Sequence, residues 1–244
     1  VPASSLKGLI RTAILNSMVN QHVIKEAAPN LNSLPHTPRH QLNKALMSVG
    51  SPVENLLKQT IPFGRGHYSY DALSRLSISD PVVKDPKFSL DKIEIKEVVG
   101  NFYTEVYAIT FTSGKLIYDV KIIKPSNYGV YSSIKQKDDM ITKQRIIDSI
   151  KKYSMYVLNK EKEKAKNNAE YTKFLNSLQI SGNCVPVKIG MFTGHLAKTV
   201  ELPTQIDQQR SQIMTRVLGH LWDNRTLKLV RNIGVGWVKL CIGD

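Results

Sequence analysis

The sequence predicts an α+β protein, with helices at its start and in its third quarter and antiparallel strands between and after them. Three observations carry that reading. Leu6, Leu9, Ile10, Ala13 and Ile14 recur at three- and four-residue steps, the period of a helix with one buried stripe. Between Leu76 and Ile123, short runs alternate apolar and polar residues, the period of half-covered strands. From about Ser133 to Leu178 the helical period returns through Ile134, Met140, Ile141, Ile146, Ile147, Ile150, Met155, Tyr156 and Leu158. An antiparallel sheet flanked by helices follows.

The first helix begins after Pro2, which fixes its own φ and disfavours helix at Val1. Ser4 or Ser5 is placed to cap it by accepting from N–H groups of the first turn. Lys7 and Arg11 lie four apart on another face, and both are off the apolar stripe, so replacing them is expected to spare the packing. Gly8 disfavours helix by roughly 1 kcal/mol against alanine and predicts a close approach by another backbone. Hydroxyls, free N–H groups and two cations at a helix N-terminus suit a phosphate. They suit equally a capped amphipathic helix with solvated cations.

Glu26 to Pro38, punctuated by Pro29, Pro35 and Pro38, predicts a loop. Arg39–Leu46 predicts a short helix and Ser51–Lys58 another, with Ser51 as cap and Pro52 at its first position. Ile61–Tyr68 predicts a turn carrying Phe63, Arg65 and Tyr68, residue types that stack on and neutralise a single strand, or serve simply as loop residues. Leu76–Asp80, Ile93–Val99, Val106–Thr112 and Leu116–Ile123 predict strands, the last two joined by a turn at Ser113–Gly114. Lys115, Lys121 and Lys124 lie on or beside the last of them.

Lys124–Tyr131, with Pro125 and Gly129, is the best boundary, dividing the chain into domains 1–125 and 126–244. The long helical stretch beyond it breaks near Asn167-Asn168, and Glu161–Lys166 reads as a solvated helix surface. A strand at Cys184–Ile189 leads into a loop from Gly190 to Thr199. Gly190 and Gly194 allow tight bends and close approach by a bulky ligand, while Phe192, Thr193, His195 and Lys198 offer planes, a hydroxyl and a charge. The spacing is not that of a nucleotide-binding P-loop, because Lys198 sits four residues beyond Gly194. Thr204–Trp222 predicts a helix, and Leu227–Arg231 with Gly236–Ile242 a closing hairpin in which Trp237 is a core anchor.

Composition narrows the function. A chain of 244 residues with a formal net charge of +14 favours a polyanionic partner, whether RNA, DNA or an anionic membrane surface. No apolar run approaches the roughly 18 residues of a membrane span. Cys184 and Cys241 are too few for a disulfide scaffold and lack zinc-site spacing, so an intracellular, soluble protein with reduced thiols is expected. His36 and His40 are separated by a helix-breaking Pro38, and no acidic metal cluster is evident. Asp80 ends a strand without an acidic partner. His195 with Lys198 is the one pair that suits acid–base RNA chemistry.

Four stretches carry a family resemblance. VPASSLKGLIRTAI at the start resembles the IPGSSLKGALRTAL type of helix in RAMP proteins, the RNA-binding subunits of CRISPR effectors, with Ala3 where glycine is more frequent. LSISD (76–80) resembles the family's LRVSDS strand. VPVKIGMFTGHLAKTVELP (185–203) resembles the glycine-rich loop of the fifth-subunit family of type III-A (Csm) complexes, and IGVGWVKL (233–240) its PLGWVKL strand. The resemblance implies ferredoxin-like (RRM-like) units, whose first strand would precede Val1 or come from a neighbouring element. It implies a non-catalytic, cytoplasmic subunit without cofactor or metal that caps the 3′ end of the guide RNA. Its partners would be that crRNA, target RNA and neighbouring RAMP subunits. The residues expected to bind RNA are Ser4, Ser5, Lys7, Arg11, Arg65, Gly190, Phe192, Thr193, Gly194, His195 and Lys198. Two rival expectations are a RAMP endoribonuclease centred on His195 and a different backbone RAMP subunit.

Overall fold

The structure, a computed structural model, describes residues 1–63, 65–98, 101, 103–123, 132–191, 193 and 226–243. Helix α1 (Ala3–Met18) buries the predicted stripe of Leu6, Leu9, Ile10, Ala13 and Ile14, together with Leu15 and Asn16. Its N-terminus differs from expectation. Pro2 is the N-cap and supplies no side-chain cap bond of its own. Ser5 N–H bonds the Pro2 carbonyl at 3.0 Å, and Ala3 N–H donates to Asp80 Oδ1 at 3.3 Å. The serines are therefore not needed as caps, because a distant carboxylate takes that part.

Two helices replace the predicted proline-broken loop and the pair of short helices. Helix α2 (Gln21–Ser33) runs through Pro29, and α3 (Leu42–Glu54) runs through Pro52. A proline inside a helix frees the carbonyl four residues earlier. For Pro52 that carbonyl belongs to Ser48, and Asn30 Nδ2 of α2 fills it at 3.1 Å. Ser51 bonds back to the Met47 carbonyl instead of capping. Pro29 lies on the exposed side of α2. Asn20 caps that helix through the N–H groups of His22 and Val23, and burial of Val23, Ile24 and Leu31 outweighs the proline.

Strands β1 (Lys58–Phe63) and β2 (Gly66–Asp71) form a hairpin from Lys58↔Asp71 to Phe63↔Gly66, so the predicted turn is confined to its tip. A short 3-10 turn (Ala72–Arg75) leads to β3 (Leu76–Ile78) and then to β4 (Val82–Glu97), β5 (Tyr103–Ile117) and β6 (Val120–Ile122). β3 pairs with β6 and β4 with β5, all antiparallel, and the long β4–β5 pair makes a ribbon. Ser113–Gly114 lie inside β5 and do not form the predicted hairpin turn. Gly114 has φ +125° and faces a bulge at Asp85 (φ 48°); a Cβ on it would stand 2.8 Å from the Asp85 carbonyl. The glycine marks a bulge where two backbones crowd.

Beyond the ribbon come α4 (Ser132–Asp138), α5 (Lys143–Lys164) and α6 (Ala169–Ser177). The predicted break at Asn167-Asn168 is present, with Asn168 capping α6 through Tyr171 N–H. The boundary segment 124–131 and the helix predicted over 204–222 lie outside the described residues. β7 (Cys184–Lys188) is followed by β8 (Thr226–Val230), β9 (Ile233–Gly234) and β10 (Trp237–Cys241). β8 pairs with β4 and with β9, whereas β10 pairs with β7, so the predicted closing hairpin is not formed. The turn at Arg231 and Asn232, both at positive φ, is followed by only two paired residues. Gly236, at φ +87°, then leads into β10 beside Lys188.

All strand pairing is antiparallel and the class is α+β, as expected. Among the described residues the strands fall into four separate sheets. The main core joins the α1 stripe to Leu57, Leu73, Leu76, Ile141, Ile150, Tyr153, Val185 and Val187, and so draws on both sides of the predicted boundary. A smaller core holds Leu158, Tyr171, Leu175, Leu227 and Leu229. The strand register also corrects the expectation of reduced thiols, because Cys241 lies opposite Cys184 and the two are bonded. No described helix is long and apolar enough to cross a membrane.

Candidate nucleic-acid interface

Ser4, Lys7, Gly8 and Arg11 on α1 face Asp71, Leu73 and Ser74 across an open groove of about 330 Å³. A Cβ on Gly8 would meet nothing within 4 Å, so among the described residues no other backbone approaches it, contrary to expectation. The glycine leaves space in the groove wall. Ser4 is exposed there, and Ser5 is half-buried beside it.

The two cations of α1 have different surroundings. Lys7 Nζ donates to the Leu76 carbonyl at 2.7 Å, which engages one of its three N–H groups, and among the described residues no carboxylate pairs with it. Arg11 donates to Asp71 Oδ2 at 2.7 Å and to Glu54 Oε2. Glu54 also receives Lys58 at 2.9 Å, and Lys58 is the cross-strand partner of Asp71. Arg11 thereby ties α1 to α3 and to the root of the β1–β2 hairpin, which corrects the expectation that its loss spares the fold. Partial burial opposes the guanidinium charge, but the bonds to Glu54 and Asp71 outweigh it and raise the Arg11 pKa. Burial likewise opposes the Glu54 carboxylate, and Arg11 and Lys58 outweigh it and hold its pKa low. Two cations and two carboxylates cancel in this knot, so Lys7 supplies the net positive charge of the groove.

At the N-terminal end of α1 the structure gathers segments far apart in sequence. Asp80 accepts the Ala3 N–H, and the Tyr118 hydroxyl donates to the Val1 carbonyl at 2.5 Å. Burial, and then the nearby Asp80, push the Tyr118 pKa up. Gly190, at φ +106°, stands beside Val1, with its Cβ direction 3.9 Å from Val1 Cγ2. Thr193 is buried and donates to the Gly190 carbonyl at 3.1 Å. Its methyl lies where a Cβ on Gly236 would come within 2.6 Å, so a side chain at 236 would displace it. Gly190 and Thr193 are thus brought to α1. Arg65 is exposed in the turn of the β1–β2 hairpin, about 20 Å from the root at roughly 3.3 Å per residue. Phe192, Gly194, His195 and Lys198 lie outside the described residues.

Sequence reasoning missed Glu54, Lys58, Asp71 and Asp80 as partners of the α1 face. Each is an ordinary polar residue at a turn or element end, and only the fold joins them. It also placed Glu161 on a solvated surface. Glu161 is buried, pairs with Lys188 at 2.7 Å and accepts the Tyr171 hydroxyl at 2.7 Å. Trp237 Nε1 in turn donates to that hydroxyl at 2.9 Å, which fits its reading as an anchor. Burial first, and then Glu161, push the Tyr171 pKa far above its ordinary range. Among the described residues no three His, Cys, Asp or Glu side chains converge as metal donors.

No protein-family model and no curated protein matches this chain. One solved structure does resemble it: a chain of the cryo-EM structure of a Csm–crRNA–target RNA ternary complex from a type III-A CRISPR-Cas system. The two are 16% identical with a TM-score of 0.66, over 99% of this chain and 72% of that one. Nearly the whole chain, from the α1 groove to the β7–β10 pair, therefore has the fold of a chain found in a Csm complex.

Proposed function

We propose that the chain is a non-catalytic, RNA-binding subunit of a type III-A CRISPR effector, built of ferredoxin-like RAMP units and acting in the cytoplasm. In this reading it caps the 3′ end of the guide RNA beside neighbouring RAMP subunits. The observation that carries the reading is the end-to-end fold likeness to a chain of a Csm–crRNA complex. The net charge of +14 and the open groove beside Lys7 and Gly8 support it. Asp71, the carboxylate of the described groove lining, is occupied by Arg11. Phosphates would meet Lys7 and backbone N–H groups without base readout.

The test is reconstitution with the remaining Csm subunits and a photoreactive guide. Crosslinks from Lys7, Gly190 and the loop after it to the guide 3′ end are expected. Crosslinks to internal guide positions would make the chain a different backbone subunit. Metal-independent cleavage lost on His195→Ala would make it a nuclease.

A further inference from the structure

We infer that Thr193 and Gly236 are a positioning pair: together they fix the turn that leaves β7 in its place beside the start of α1. Thr193 is among the residues expected to touch RNA, yet it is 3% exposed and faces the protein. Its hydroxyl donates to the Gly190 carbonyl at 3.1 Å and closes the turn on itself. Its methyl rests over Gly236, where an added Cβ would come within 2.6 Å of it and within 3.1 Å of the Ile189 carbonyl. Gly236 holds φ +87°, a conformation that a side chain disfavours, and its carbonyl accepts the Ile189 N–H at 2.8 Å. One glycine therefore bonds the residue that enters the turn and seats the residue that closes it.

The base beneath this pair is fixed as well. Lys188 and Trp237, just before Ile189 and just after Gly236, are cross-strand partners. Lys188 is buried on Glu161, and its ammonium stands 5.8 Å from the centre of the Trp237 ring. Trp237 Nε1 donates to the Tyr171 hydroxyl, which ties the mouth of the turn to α6. On the outer side, Gly190 stands beside Val1, and Met191 is 79% exposed. The side chain that seats the turn is turned inward, and its neighbour is offered to solvent. A turn held in this way costs little to order when a strand of RNA arrives. Released from Gly236, it would be in place for only a fraction of the time, and affinity would fall by that fraction.

This inference rests on the RNA-binding reading above, and one set of measurements separates their failures. The full-length protein is mixed with fluorescein-labelled polyuridine of about 20 nucleotides, long enough to span a single-strand site. Affinity is read by anisotropy, and the position of the turn by crosslinking from a photoreactive benzoylphenylalanine placed at Met191. Thr193→Val keeps the size of the side chain but loses the bond to Gly190, and is expected to bind about fivefold more weakly with a weaker crosslink. Thr193→Ser keeps the bond and is expected to stay within about twofold of the wild type. Gly236→Ala pushes on the Thr193 methyl and the Ile189 carbonyl, and is expected to lose about tenfold in affinity together with the crosslink. Leu34→Ala opens a cavity at a buried residue of a separate part of the chain and lowers Tm, but is expected to bind and crosslink as the wild type does well below its melting temperature. An equal loss of affinity in this control would reduce positioning to stability and overturn the inference. Circular dichroism melting verifies that each variant is folded; where Gly236→Ala is not, Thr193→Val against Thr193→Ser decides. If Lys7→Ala weakens binding while Thr193→Val and Gly236→Ala retain wild-type affinity and crosslinking, the positioning inference alone fails. It fails also if the wild type binds but residue 191 gives no crosslink. If the wild-type protein does not bind polyuridine, both readings fail.

Discussion

Lys7 and Arg11 on α1, and Lys84, Lys87 and Lys115 on the ribbon, carry the same charge in very different surroundings. Arg11 is divided between two carboxylates and holds three elements together. Lys7 gives one bond to a carbonyl. The ribbon lysines have no carboxylate partner among the described residues. Lys188, buried against Glu161, lies at the other extreme. A charge count of +14 therefore does not measure the charge offered to a polyanion. The cations that look best placed in sequence, at a helix start, are partly used by the fold, whereas among the described residues those on an alternating strand have no carboxylate partner.

That gradient orders the expected effects of substitution. Lys188→Ala removes the nearer cation of buried Glu161, leaving Lys164 at 4.0 Å, and is expected to cost about 3 kcal/mol, a fall in Tm of roughly 10 °C. The double variant Lys188→Met/Glu161→Leu should recover most of it in chemical denaturation; no recovery would mean that the pair is not the cause. Arg11→Ala removes two charge-assisted bonds and is expected to cost about 1.5–3 kcal/mol, whereas Lys7→Ala should stay within about 1 kcal/mol. Equal losses from both would erase the distinction between them.

The third effect is a pH dependence. The folded state holds Glu54 below its ordinary value of 4.5, so its contribution is complete above that pH and is lost as pH falls through the lower folded value. The wild type should therefore lose more stability between about pH 5 and pH 3 than Glu54→Gln does. Parallel acid-unfolding curves would count against the knot. Smallest of all, Lys84→Gln or Lys115→Gln should leave Tm unchanged or raise stability by a few tenths of a kcal/mol, because the two repel across the ladder. A clear loss would reveal a partner for those lysines.

Periodicity made α1, α5 and the strand-rich middle legible, since one buried face imposes its period on the sequence. Proline and glycine misled where a tertiary contact repaired the local penalty. Pro52 reads as a helix start until Asn30 supplies the missing donor to Ser48. Gly114 reads as a turn until a bulged strand is seen beside it. Pairing was the least legible level. The turn at Arg231–Asn232 gives no local sign that β8 will pair with β4 or that β10 will return to β7. The same holds for the site. The helix motif located Lys7 and Arg11, but Glu54 and Asp71 reach Arg11, and Asp80 the start of the helix, only through contacts between distant residues.

The β7–β10 pair has a consequence for chain length. Lys188 and Trp237 are cross-strand partners, so residues 189–236 leave and return at neighbouring points. Lengthening a connection whose ends are already held side by side is cheap in entropy, roughly 0.6 kcal/mol for each doubling of its length. Residues inserted within that excursion, away from Gly190 and away from the β8 residues that reach β4, would leave the α1 groove intact. The fold can thus be enlarged there, beside its own candidate interface, without moving the elements that form it.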